Sequence, residues 1–161
     1  MIQDVRLQRL AERCRECLGL GAYELHAFRL HPERGVRGFI PVLVMEWFPK
    51  GVEMSGEEGI NPEGTAVVEA DLRNGRLRRV VFVGGKTWAD KLRFRRDGGE
   101  QLIGWLERET GLEYERHFRL KRHEENEFVF AAHIHGIPLS PAGRIDVKLD
   151  DQGRLVLFSV Y

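Results

Sequence analysis

Leu20 to Leu30 reads LGAYELHAFRL, and Gly111 to Leu120 reads GLEYERHFRL. Each stretch follows a segment of helical periodicity and runs into an apolar, strand-like segment, so reading the two as copies of one element sets the expected fold. Tyr23 matches Tyr114 and His26 matches His117 at an offset of 91; Phe28, Arg29 and Leu30 then match Phe118, Arg119 and Leu120 at 90.

Upstream of the first copy, Leu7, Leu10, Ala11, Cys14, Cys17 and Leu18 recur with i, i+3, i+4, i+7 spacing. A helix is therefore expected from an Asp4 N-cap to the Gly19-Leu20-Gly21 stop. Upstream of the second copy, Asp97 and Glu100 have capping-box spacing, Leu102, Ile103 and Leu106 supply the apolar stripe, and Gly111 closes it. Downstream, apolar strands ending in proline are expected over Phe39 to Pro49 and Glu127 to Pro138. Val68 to Asp71 and then Asn74 to Leu77 are echoed by Val147 to Asp150 and Gln152 to Leu155, at offsets of 79 and then 78. The lower offset places an insertion of about ten residues in the first copy, within Gly51 to Gly64, where a loop would carry it.

Asn74-Gly75 and Asp150 to Gly153 are hairpin signals. Alternation puts Ile145, Val147 and Leu149 inward against Arg144, Asp146 and Lys148, with Phe128, Phe130, Ala132 and Ile134 as a second inward set. The expected class is α+β: two α-β-β-β-β repeats, residues 1–85 and 86–161, each a helix packed on an antiparallel sheet. Roughly 80 residues is near the lower limit for an independent core, so the two are expected to pack as one compact body.

With 42% apolar residues the chain can build a core, and 25 basic against 25 acidic residues give it no net charge. Zero net charge removes the long-range attraction on which nucleic-acid binders rely, and nucleic acid is not an expected partner. No apolar run approaches the roughly 20 residues of a membrane helix, and the N-terminus lacks a secretory pattern, so the chain as written is expected to stay in the cytoplasm.

Cys14 and Cys17 have C-x-x-C spacing, but both belong to the helical stripe and are read as structural. His133-Ile134-His135 is the best metal candidate, because residues two apart on a strand share a side. The two histidines alternate with core residues, which places them on the wetter face as a solvated or hydrogen-bonded pair. His26 and His117 are read as structural histidines of the repeated unit. No phosphate loop, nucleophile elbow or carboxylate couple stands out, so neither an enzyme nor a cofactor is expected.

Gly51 to Leu72 carries Glu53, Glu57, Glu58, Glu63, Glu69 and Asp71 with no Lys or Arg, while Arg73 to Arg96 carries nine basic residues and one acid, Asp90. The basic stretch, with Trp88 and Phe94 interleaved, is read as a solvated face complemented by the preceding acidic segment.

Phe130-Ala131-Ala132-His133-Ile134-His135-Gly136-Ile137-Pro138-Leu139, followed by Arg144-Ile145-Asp146-Val147-Lys148-Leu149-Asp150-Asp151-Gln152-Gly153-Arg154-Leu155, resembles the ending of the YcdB/YcdC repeat of the PepSY-like group. Its pattern is G-I-P, then I-x-V-x-[VL]-D-x-x-G-x-[LV]. The first copy departs from it, with Trp47-Phe48-Pro49 in place of Gly136-Ile137-Pro138. The resemblance implies a bacterial tandem α+β protein without catalysis, a peptidase-inhibiting or interaction module at the cell envelope. The resulting expectation is a non-enzymatic binding or regulatory module that meets a protein partner, such as a peptidase, through the Gly51 to Gly64 loop. Contact candidates are Glu53, Glu57, Glu58, Trp88, Arg93 and Arg95. The competing class is a small-ligand or metal-binding protein, or an enzyme, using His133 and His135 in a cleft between the repeats.

Overall fold

The computed structural model describes residues 3–35, 38–51, 61–95, 99–138 and 143–161. Helix α1 spans Val5–Leu18, and its start is set by the Asp4 carboxylate, which accepts the N–H groups of Arg6 (2.8 Å) and Leu7 (3.4 Å). Those donors have no partner inside the helix, which is why an acidic residue is favoured there. Gly19, at φ 71°, ends the helix in a left-handed turn that a side chain would resist. Helix α2 spans Glu100–Thr110 and ends the same way at Gly111. Its start differs from expectation. Asp97 lies outside the described residues, Glu100 is the first helical residue, and Gly99 at φ 68° holds the cap position without a side-chain bond. A left-handed Gly99 stops the helix from reaching back to the Asp97 box.

The strands are β1 (Tyr23–Gly35), β2 (Gly38–Pro49), β3 (Ala66–Asp71), β4 (Leu77–Phe82), β5 (Phe118–Glu124), β6 (Glu127–Ile134), β7 (Ile137–Pro138), β8 (Arg144–Leu149) and β9 (Leu155–Val160). Eight of them form one antiparallel sheet in the order β1-β2-β3-β4-β9-β8-β6-β5, and β7 pairs with β6 off this path. The chain is thus a mixed α and β protein with two helices and one broad antiparallel sheet among its described residues. The middle joint is β4 on β9, with Val80 opposite Phe158.

Alternation decides which face is covered. Leu43, Met45, Val68, Val80, Phe130, Val147 and Phe158 point to one side and join Ala11, Cys14 and Leu18 of α1 and Leu102, Trp105 and Leu106 of α2 in one core cluster. Phe158, fully buried, packs edge-on against Trp105 at 5.0 Å between ring centres. The opposite face has no helix among the described elements, and ion pairs lie on it: Arg79–Glu69 at 3.9 Å and Lys148–Glu127 at 3.4 Å between strands, and Arg144–Asp146 at 2.9 Å within β8. That face is only partly open: Val42, Val44 and Ser159, which lie on it, are buried.

The expected strand from Glu127 to Pro138 is two strands. His135 (φ 51°) and Gly136 (φ 79°) are both left-handed and make a two-residue turn, which brings Ile137 opposite Ile134 and Pro138 opposite His133. The turn ends the alternation, and Ile134, expected inward, is 55% exposed.

Candidate functional site

The Gly51 to Gly64 segment was the favoured contact. Glu53, Glu57 and Glu58 lie outside the described residues, but the base of the segment is described. The buried Tyr23 hydroxyl donates to the Gly64 carbonyl at 2.6 Å and accepts the Trp88 N–H at 3.2 Å. Gly64 N–H donates to Val83 O at 2.9 Å, and Lys86 pairs with Glu63 at 2.7 Å. The Trp88 ring, half exposed, lies directly on Gly64, where an added Cβ would fall 1.7 Å from Cζ3. Gly64 is also left-handed at φ 85°, so backbone conformation and ring contact both require glycine. The segment therefore leaves the sheet from a fixed platform made of Tyr23, Gly64 and Trp88.

Arg93 and Arg95 lie further along the same link and are exposed. Arg93 donates through Nε to Gln152 O (3.0 Å) and is bridged to Arg154, while the Arg95 N–H donates to the Gln101 side chain at 3.4 Å. Phe94 between them points into the core. The wider basic stretch is answered by acids that precede it in the chain: Arg73–Asp71 (2.8 Å) and Arg79–Glu69 from β3 and Lys86–Glu63 from the turn before that strand, with Arg78–Glu33 (3.0 Å) added from β1.

Asp71 and Asp150 close the two strand-to-strand turns. The Arg73 side chain beside Asp71, helped by the Arg73 N–H, holds that carboxyl below its usual range against the effect of burial. Burial acts against ionisation of Asp150 too, and the Arg154 N–H, the Arg154 guanidinium and the Gln152 N–H together outweigh it.

The histidine pair does not assemble. His133 is the last buried residue of β6, whereas His135 sits in the exposed turn. The wet, hydrogen-bonded setting expected for His133 is also absent: the ring is 6% exposed and neither nitrogen has a partner. Among the described residues no group of three His, Cys, Asp or Glu side chains could hold a metal ion.

His26 and His117 are separately partnered. His26 is the extra residue where β1 slips against β2, and it stacks on Phe48 at 3.9 Å; in β5 the corresponding slip falls at Lys121. His117 precedes β5 and its Nδ1 accepts the Glu113 N–H at 2.9 Å. Tyr23 faces Pro49 at the start of β1, and it is Phe118, not Tyr114, that faces Ala132 at the start of β5. The two quoted motifs therefore meet their partner strands at different points. No matching signal marks that shift, because aromatic residues fill both registers.

Cys14 and Cys17 are free thiols. Burial, with each other's and Glu109's charge behind it, pushes Cys14 up to about 12, and burial pushes Cys17 up to about 11. A thiol that does not ionise near neutrality is a poor nucleophile and metal ligand. No described helix is long and apolar enough to cross a membrane. No protein-family model, curated protein or solved structure matches the chain.

Proposed function

We propose that the chain is a non-enzymatic binding or regulatory module that holds a protein partner, of the peptidase-regulating kind implied by its likeness to the YcdB/YcdC repeat. Its frame on this reading is a duplicated α-β-β-β-β unit, residues 1–85 and 86–161, packed as one compact body. Strand register supports the duplication. Each half runs helix, hairpin, hairpin; the slip between Glu69 and Ala70 in β3 recurs between Lys148 and Leu149 in β8, at the offset of 79 read from the sequence. The slip in β1 at Leu25/Ala27 has its counterpart in β5 at Leu120/Arg122, at an offset of 95 where the sequence match gives 90 to 91.

The observation that carries the functional reading is the platform under the acidic segment. Tyr23 and Trp88 hold Gly64 against the sheet while half of the indole surface stays exposed. A rigid base with an exposed aromatic beside an acidic segment is the arrangement by which loops present contacts. Arg93 and Arg95 are further contact candidates on this reading.

The test compares affinity capture by the wild-type chain, by a chain whose residues 53–59 are replaced with a short glycine linker, and by Trp88→Ala, with thermal stability measured on each. A partner held by the wild type and lost from both variants at unchanged stability supports the reading. Retention of every partner by both folded variants removes this surface from the function.

A further inference from the structure

A second group of polar side chains gathers on the face away from the helices, at the far end from the platform. Arg119 of β5 stands opposite Ala131 of β6, and Ala131 stands opposite Arg144 of β8. Directly opposed residues keep their Cβ atoms about 5 Å apart, so two arginines rise roughly 10 Å apart with only a methyl group between them. The neighbouring row adds imidazoles. His133 N–H donates to the His117 carbonyl at 2.8 Å, which sets these residues side by side, and His133, two residues on from Ala131, projects to the same face.

The chemistry of the four groups is one-sided. His117 Nδ1 accepts the Glu113 N–H, so its neutral ring keeps the proton on Nε2 and is a donor there. Arg119 makes no ion pair with a described residue. Arg144 is steadied by Asp146 at 2.9 Å and lies over the Tyr161 ring at 4.5 Å, which leaves further guanidinium donors unused. His133, with nine-tenths of its surface buried and both nitrogens unbonded, is an unfavourable arrangement, and a bound acceptor would take up its ring N–H.

We propose that this corner of the sheet binds a phosphoryl group, with Arg119 and Arg144 as the charged clamp and His133 and His117 donating from the next row. Donors arriving from three chain segments suit a tetrahedral oxyanion better than a planar carboxylate, whose two oxygens one guanidinium can occupy. Free phosphate and a phosphorylated side chain share this chemistry. The site is separate from the Gly64 platform and does not depend on the reading of that surface.

The experiment follows the His133 ring resonance by NMR, assigned by its loss in His133→Leu, during titration with inorganic phosphate, O-phosphoserine and acetate at matched ionic strength. The expected result is a saturable shift with Kd on the order of 1 mM for a phosphoryl ligand, weakened about tenfold in Arg119→Gln. Tighter binding of O-phosphoserine would identify a phosphorylated side chain as the ligand, and tighter binding of inorganic phosphate would identify the free ion. Three results would each overturn the proposal: no movement of His133 up to about 20 mM phosphate, equal response to acetate, or unchanged binding in Arg119→Gln with its amide spectrum intact.

Discussion

Replacing Asp71 should cost the fold stability in a way that acid abolishes. The side chain is 5% exposed; Oδ1 accepts the Arg73 N–H at 2.8 Å, and Oδ2 accepts the guanidinium at 2.8 Å. A hydrogen bond from a backbone donor to a buried charge contributes about 1.5–3 kcal/mol. The guanidinium is 58% exposed, so solvent screening leaves its share small. Asp71→Ala should therefore lose about 2–3 kcal/mol at pH 7 and lower Tm by about 5–10 °C for a chain of this size. Asp71→Asn keeps an oxygen acceptor and should lose about 1 kcal/mol. The carboxyl is held below its ordinary 3.8, so its contribution is present above that value and drains away as pH falls through the lower folded value. Urea unfolding followed by tryptophan fluorescence at pH 7 and near pH 3, in low salt, measures the difference. The gap between wild type and Asp71→Asn should narrow in acid with unchanged m-value; a gap equal at both pH values would refute the assignment of the bond to the ionised group.

The same measurement on Asp150→Asn should give the same sign of pH dependence, since hydrogen bonds from Arg154 and Gln152 outweigh burial there. Gly64→Ala should lower stability by at least about 2 kcal/mol and shift tryptophan emission, because the new methyl meets the Trp88 ring and the backbone is left-handed; a neutral substitution would mean that the ring is not seated there. Neither Cys14 nor Cys17 should react with iodoacetamide at neutral pH until urea unfolds the chain, as mass spectrometry over time would show. His133→Leu should raise the stability of the ligand-free protein by about 1–3 kcal/mol, as the buried ring gives up two unbonded nitrogens; chemical denaturation reads this directly.

Local signals in the chain were dependable where one residue decides one conformation. Asp4 and Gly19 bound α1 as their chemistry requires, and Asn74-Gly75 and Asp150 to Gly153 turn the β3–β4 and β8–β9 pairs. Alternation placed Ile145, Val147 and Leu149 inward, each at most 2% exposed. It failed at Ile134, where His135-Gly136 forms a turn: histidine tolerates positive φ less often than the Asn or Asp that usually announces such a hairpin, so the signal was muted. His133 was misplaced for the same reason, since a strand thought to continue would have carried both histidines to one wet side.

What no local pattern carries is the joint between halves. The pairing of Val80 with Phe158 brings together residues 78 apart in sequence, and it depends on shape across a whole sheet face rather than on any turn or cap. That joint leaves β1 and β5 as the two outer strands of the path and makes one face continuous from Glu69–Arg79 to Arg144–Asp146. Arg119, Ala131 and Arg144 become neighbours only through the β5-β6-β8 order, because β7, next in sequence after β6, pairs with it off the main path and leaves that edge of β6 to β8. A reading along the chain sees Arg119 and Arg144 as two solvated charges. The sheet order makes them two sides of one clamp over Ala131, with the buried, unbonded His133 in the adjacent row.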